Sequence, residues 1–281
     1  MVASYLDALA PVLSQVVEPA AVQVDREGAF PHAAVGALGR AGLLGLVSAR
    51  EVGGGGEADS YVWSSRPLAA DGASTIWLVP ADTPGLKVAG PFDGLGLRGN
   101  ASSPVGAHDV AVPVAAMLGE DGKGDQVMLG IVLGWFSTMS AAMAVGLMEA
   151  ATSRTVAHVT ATRLEHLDTR LADLATIRAY LARMRIATDQ ARALLADTLA
   201  AMEAGRQDAT LRVLEVKAAA AEAATAVTDL AMRVCGGAAF RKEAGVERQL
   251  RDARAATVMA PTTDALYDFV GRALCGIDLF A

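Results

Sequence analysis

Apolar residues recur every three or four positions at the start of the chain, at Leu6, Leu9, Leu13 and Val16, the period of an amphipathic helix. A second helix is expected from Phe30-Pro31, with proline suited to its first turn and Val35, Leu38 and Leu43 forming its apolar face. The pattern then changes. Tyr61-Val62-Trp63, Thr75 to Val79 and Leu86-Lys87-Val88 are short β-branched and aromatic runs, separated by the turn formers Asp71-Gly72 and Thr83-Pro84-Gly85. Past Gly119–Gly124 the helical period returns and persists. Leu171, Leu174, Ile177, Leu181, Met184, Thr188, Ala191, Leu195 and Thr198 carry it through one long helix. Leu211, Leu214, Ala218 and Ala221, followed by Val227, Leu230 and Val234, carry it through another. Gly205 and Gly236-Gly237 punctuate these helices, and a terminal helix is expected from about Pro261. Three long helices and a terminal one predict an antiparallel bundle.

Composition narrows the functional classes. With 53% hydrophobic residues and a formal charge of −7, the chain has no electrostatic case for nucleic acid or an anionic membrane as partner. Cys235 and Cys275 are too few for a disulfide framework. No basic segment followed by an apolar core opens the chain, and a cytoplasmic protein is expected. Val127–Met148 is uncharged and long enough to span a bilayer, but its glycines, serines and alanines dilute it. It is expected to be a fully buried bundle helix. The histidines at 32, 108, 158 and 166 show no metal-binding spacing, so no metal is expected. Gly53–Gly56 lacks the Lys-Ser/Thr of a phosphate loop and reads as a junction.

The most informative run is Cys235-Gly236-Gly237-Ala238-Ala239-Phe240, followed by Val246-Glu247-Arg248, Arg251-Asp252 and Met259-Ala260-Pro261-Thr262-Thr263-Asp264. A Gly-Gly turn between helices leaves backbone N–H groups uncovered, a ready anion site, though such a pair also serves as an ordinary helix C-cap. The order of the whole run resembles the C-terminal signature of the acyl-CoA dehydrogenases. Ala41-Gly42-Leu43-Leu44-Gly45, Gly96-Leu97-Arg98-Gly99-Asn100 and Val112-Pro113 are similar to further landmarks of that family. The resemblance implies a mainly α fold with a small β middle domain. Its N-terminal helices would occupy residues 1–56, a partial β-barrel residues 57–118, and a C-terminal antiparallel four-helix bundle residues 119–281. It also implies that an internal segment is missing after Gly56, between the second helix and the Ala58-Asp59-Ser60-Tyr61 strand.

The same resemblance implies FAD as cofactor. Thr262 and Asp264 match residues that contact it. Gly236, Gly237 and Arg163 match positions that serve the FAD of a neighbouring subunit, implying a homo-oligomer, a tetramer built through the bundle. The Phe-Gly that follows the family's arginine is absent after Arg163, and Ala175 replaces its glutamine. The family's catalytic glutamate stands at Ala260 or, in some members, near Phe136, so neither base position carries an acid–base group here. Pro261 with Thr262, Thr263 and Asp264 also reads as a plain helix start, and Arg251-Asp252 as a structural pair. The implied activity is flavin-dependent oxidation at the CH–CH group of an acyl thioester or related small molecule. Two alternatives stand beside it: a flavin monooxygenase on the same fold, and a non-catalytic subunit partnering an active homologue.

Overall fold

The computed structural model describes residues 2–43, 60–68, 72, 74–90, 93–100 and 102–278. The expected break after Gly56 lies outside the described residues. The chain divides into two compact units, 1–130 and 131–281.

The first unit opens with α1 (Val2–Val12), a π-helical turn over Leu13–Val17 and α2 (Glu18–Glu27), one continuous helical run. Leu6 and Leu13 of the expected apolar stripe are exposed on it. Helix α3 (His32–Arg40) starts one residue after Pro31, and it buries Ala34 and Ala37 rather than Val35 and Leu38. Strand β1 (Ser60–Ser65) pairs antiparallel with β2 (Thr75–Pro80), with Trp63 opposite Trp77. Thr75, Trp77 and Val79 are buried on one face of β2; on the other, Ile76 is buried while Leu78 and Pro80 are exposed. Strands β3 (Leu86–Val88) and β4 (Val105–Ala107) form a separate ladder, and β5 (Met117–Leu118) completes a three-stranded sheet against β2. Two small sheets, with no closed barrel among the described residues, leave an apolar cavity of about 350 Å³ lined by Trp63, Trp77, Val79 and Leu86.

The landmark at Gly96–Asn100 has a packing explanation. Arg98 Nε donates to the Asp25 carbonyl of α2 at 2.7 Å. A Cβ on Gly99 would lie 2.4 Å from Val24 Cγ1, so only glycine admits α2 this close.

The helical run continues from α4 (Gly124–Val127) through a π turn into α5 (Leu133–Ala161). It is long and apolar enough to cross a membrane by length and composition. The expectation that it is fully buried is corrected. Ala141, Ala144, Val145, Met148 and Ala151 are buried in the bundle, but Ile131, Trp135 and Met139 form an exposed apolar stripe. After the short hairpin β6 (Arg163–Leu164) and β7 (Thr169–Arg170) come α6 (Ala175–Glu203) and α7 (Ala209–Cys235). Where one terminal helix is expected there are two: α8 (Val246–Val258) and α9 (Thr263–Leu274). Helix α7 is the hub, packing against α5, α6, α8 and α9. The core is built largely of alanine, which brings the helix backbones close.

Candidate functional site

Two ends of the bundle carry the residues singled out by sequence. At one end, buried Cys235 closes α7 beside Thr155 of α5, and burial pushes its thiol up from its ordinary range against a smaller opposing effect of Thr155. The two helices therefore run parallel, and α6 is the return between them in chain order. Gly236 follows with φ 56° and ψ −138°, a conformation that excludes other residues without strain, so the turn depends on glycine. Gly237 has no such requirement, and a Cβ on either glycine would meet nothing within 4 Å. Both glycines are exposed, and the Gly236 N–H donates to the Met232 carbonyl as the cap of α7. Arg163, just past the end of α5, is exposed on β6 rather than on a helix end, and its Nη2 donates to Asp168 Oδ1 at 2.5 Å.

At the other end stands a residue that no sequence motif marked. Lys217 occupies the inward face of α7 on the stripe of Val213, Ala220 and Ala224, and is 1% exposed. Its ammonium donates to the carbonyls of Pro261 at 2.7 Å, Met259 at 2.9 Å and Ala256 at 3.4 Å. The ring of Phe136 lies 5.9 Å from Nζ, within cation–π range. Burial pushes the lysine below its ordinary range. A signal was present all the same: a single lysine inside the apolar stripe that runs from Leu214 to Ala221.

Lys217 thus brings together Phe136 and the turn that holds Ala260, the two positions at which a base was expected from the resemblance. Both are exposed at the surface of the bundle. Neither can accept a proton. Helix α9 starts at Thr263, not at Pro261. Thr262 is its N-cap, accepting from Ala265 N at 3.3 Å, and its own hydroxyl proton remains available to another acceptor. Asp264 is exposed in the first turn, and its charge raises the neighbouring Tyr267 after burial, the larger cause, and Glu222. Thr263 Oγ1 is buried and without a hydrogen-bond partner among the described residues. Asp268 is paired with Arg272 at 2.8 Å. Arg251 pairs with Glu247 at 2.5 Å, one helical turn back.

The candidate cofactor residues therefore fall into two sets, Arg163, Gly236 and Gly237 at one end and Thr262 and Asp264 at the other. Lys217 and Gly236 are about 28 Å apart along α7 at 1.5 Å rise per residue. One subunit does not bring the sets together. Each set suits a portion of a dinucleotide: a side-chain-free turn at Gly237 and the exposed Arg163–Asp168 pair for phosphate, and a hydroxyl donor with an exposed carboxylate for polar groups.

A long helical hub, a Gly-Gly turn and a capped terminal helix make up the bundle, and comparison with known proteins gives its class. Residues 122–275 match the acyl-CoA dehydrogenase C-terminal domain, and residues 4–81 the N-terminal domain of the same enzymes. The chain belongs to the acyl-CoA dehydrogenase family. It is 32% identical over 70% of its length to the Probable acyl-CoA dehydrogenase YngJ of Bacillus subtilis, covering 51% of that protein. The chain spans about half the length of the curated relatives first matched. Butyryl-CoA dehydrogenase from Megasphaera elsdenii shares the fold, with a TM-score of 0.85 at 19% identity over 96% of this chain and 97% of that one. So does PigA, solved with FAD and proline, at a TM-score of 0.71 and 20% identity over 78% of this chain and 56% of that one.

Proposed function

We propose that the chain is a flavin-dependent oxidoreductase that binds FAD and acts on an acyl thioester or a related small molecule. The observation that carries this reading is the exposed, uncrowded Gly236-Gly237 turn closing α7 in a chain of this family, with the Thr262 hydroxyl at the far end of the bundle. Bound FAD would supply the two-electron acceptor. Gly236, Gly237 and Arg163 would hold phosphate, and Thr262 and Asp264 polar atoms of the cofactor. Because the two sets are separated by the length of α7, a cofactor held at Thr262 takes its Gly-Gly contact from a second copy. The functional unit on this reading is a homo-oligomer, a tetramer formed through the bundle and working in the cytoplasm.

A second reading is favoured by the surroundings of Lys217. Oxidation between the α and β carbons needs a base for the α-proton, and here the two positions that would supply it are a methyl and a phenyl group. An oxygen-using monooxygenase on this fold needs no such base. The two readings diverge in one experiment. Purified protein reconstituted with FAD is mixed anaerobically with saturated acyl-CoAs, then reduced chemically and exposed to oxygen and candidate substrates. Bleaching by acyl-CoA supports the dehydrogenase; product oxygenation without such bleaching supports the monooxygenase. Protein that takes up no FAD at all overturns both.

A further inference from the structure

Lysine is rarely enclosed in an apolar interior unless each of its donors is met. Lys217 meets that condition with three acceptors drawn from one short stretch, the last turn of α8 and the turn into α9. Ala256 and Met259 lie where a helix leaves carbonyls without intrahelical donors, and where the helix dipole favours a cation. The carbonyls of Met259 and Pro261 flank Ala260, so the Met259–Ala260 and Pro261–Thr262 peptide units are tethered to one ammonium. Ala260 contributes only a methyl group and is exposed, so it cannot anchor the turn by its own side chain.

We propose that Lys217 is a positioning residue, which through these three carbonyls fixes the α8–α9 turn so that Ala260 and Thr262 are presented beside Phe136 to a bound ligand. That the ligand is a flavin cofactor rests on the function proposed above; the tethering of the turn does not. Loss of the ammonium frees the turn while the alanine-packed core of α5, α6 and α7 stays closed.

The test compares the unaltered full-length protein with Lys217→Met and Lys217→Arg. Amide hydrogen exchange is read peptide by peptide, and FAD binding is titrated by flavin fluorescence. In Lys217→Met, exchange across residues 256–266 should accelerate at least tenfold with α5 and α6 still protected, and FAD should bind at least tenfold more weakly. Lys217→Arg, which keeps the charge and several donors, should recover much of both. Unchanged exchange in the turn overturns the proposal, as does acceleration spread evenly over α5, α6 and α7, the mark of a general core defect. If Lys217→Met does not fold, Lys217→Gln is read by the same criteria. Should the unaltered protein take up no FAD, the flavin reading falls, while the exchange comparison still decides the role of Lys217.

Discussion

Adjacent glycines in this chain do different work. Gly236 sits at φ 56°, ψ −138°, and Gly236→Ala should destabilise the protein by about 1–3 kcal/mol, the usual cost of a residue forced into such a region, measured by denaturant unfolding. Gly237→Ala meets no atom within 4 Å and should leave stability nearly unchanged. If Gly237 faces the phosphates of a cofactor, the same change should still weaken FAD binding; unaltered binding would remove Gly237 from the site. At Ala260 the expectation is a gain. Ala260→Glu should raise the rate of flavin bleaching by saturated acyl-CoA by roughly 10²–10⁴-fold, the usual worth of a positioned general base. Rapid bleaching in the unaltered protein would instead reveal a proton acceptor elsewhere. The glycine cap at Gly236 and the helix start at Thr262 were legible because turn chemistry is local. The role of Lys217 was not, since its three acceptors are remote in sequence and a helical period assigns it no partner.

Helices α5 and α6 are joined by polar contacts as well as alanine packing. Arg185 and Arg192 of α6 both donate to Glu149 of α5, and both also pair with Asp189. These side chains are half-exposed, so solvent screens them. Glu149→Gln should cost about 1 kcal/mol by chemical denaturation, and less at high salt. The α6–α7 turn carries a second network. Arg206 bonds both oxygens of Asp197 at 2.8 Å and reaches Asp208 at 2.5 Å, and Arg212 bonds Asp208 at 3.0 Å. Hydrogen bonds from Arg206 hold both aspartates below the ordinary carboxylate range, against a smaller opposing effect of burial. A carboxylate with a depressed folded-state pKa contributes stability that is fully present above its unfolded value, about 3.9, and is lost as pH falls through the folded value. Arg206→Gln should therefore lower the melting temperature at pH 7, and the difference from the unaltered protein should shrink as pH falls below about 4.

The long helices and the main strands followed from period and turn residues, because both signals are carried within the element. Helix α8 did not: Val246-Glu247-Arg248-Gln249 is mostly polar, and only Val246, Gln249, Ala253 and Ala256 are buried on it. Strand β5 is two residues long and exists only through its pairing with β2, a relation no local pattern announces. The apolar run at the start of α5 misled in the other direction. Its hydrophobicity reads as burial, yet Ile131, Trp135 and Met139 face outward.

For the whole molecule, the separation of the two candidate sets makes assembly the natural route to a complete site. Light scattering at micromolar concentration should return a multiple of the 28.8 kDa chain, and mixing a Gly237 variant with a Thr262 variant should restore FAD binding to a fraction of the population. A monomer that binds FAD tightly would contradict it.

The carbonyls that receive Lys217 lie 39, 42 and 44 residues further along the chain. During synthesis, α7 is complete well before any of them has been made. A nascent chain at that stage leaves the Lys217 face of its central helix uncovered, with the ammonium in water. That face reaches its final packing only when translation has passed Pro261.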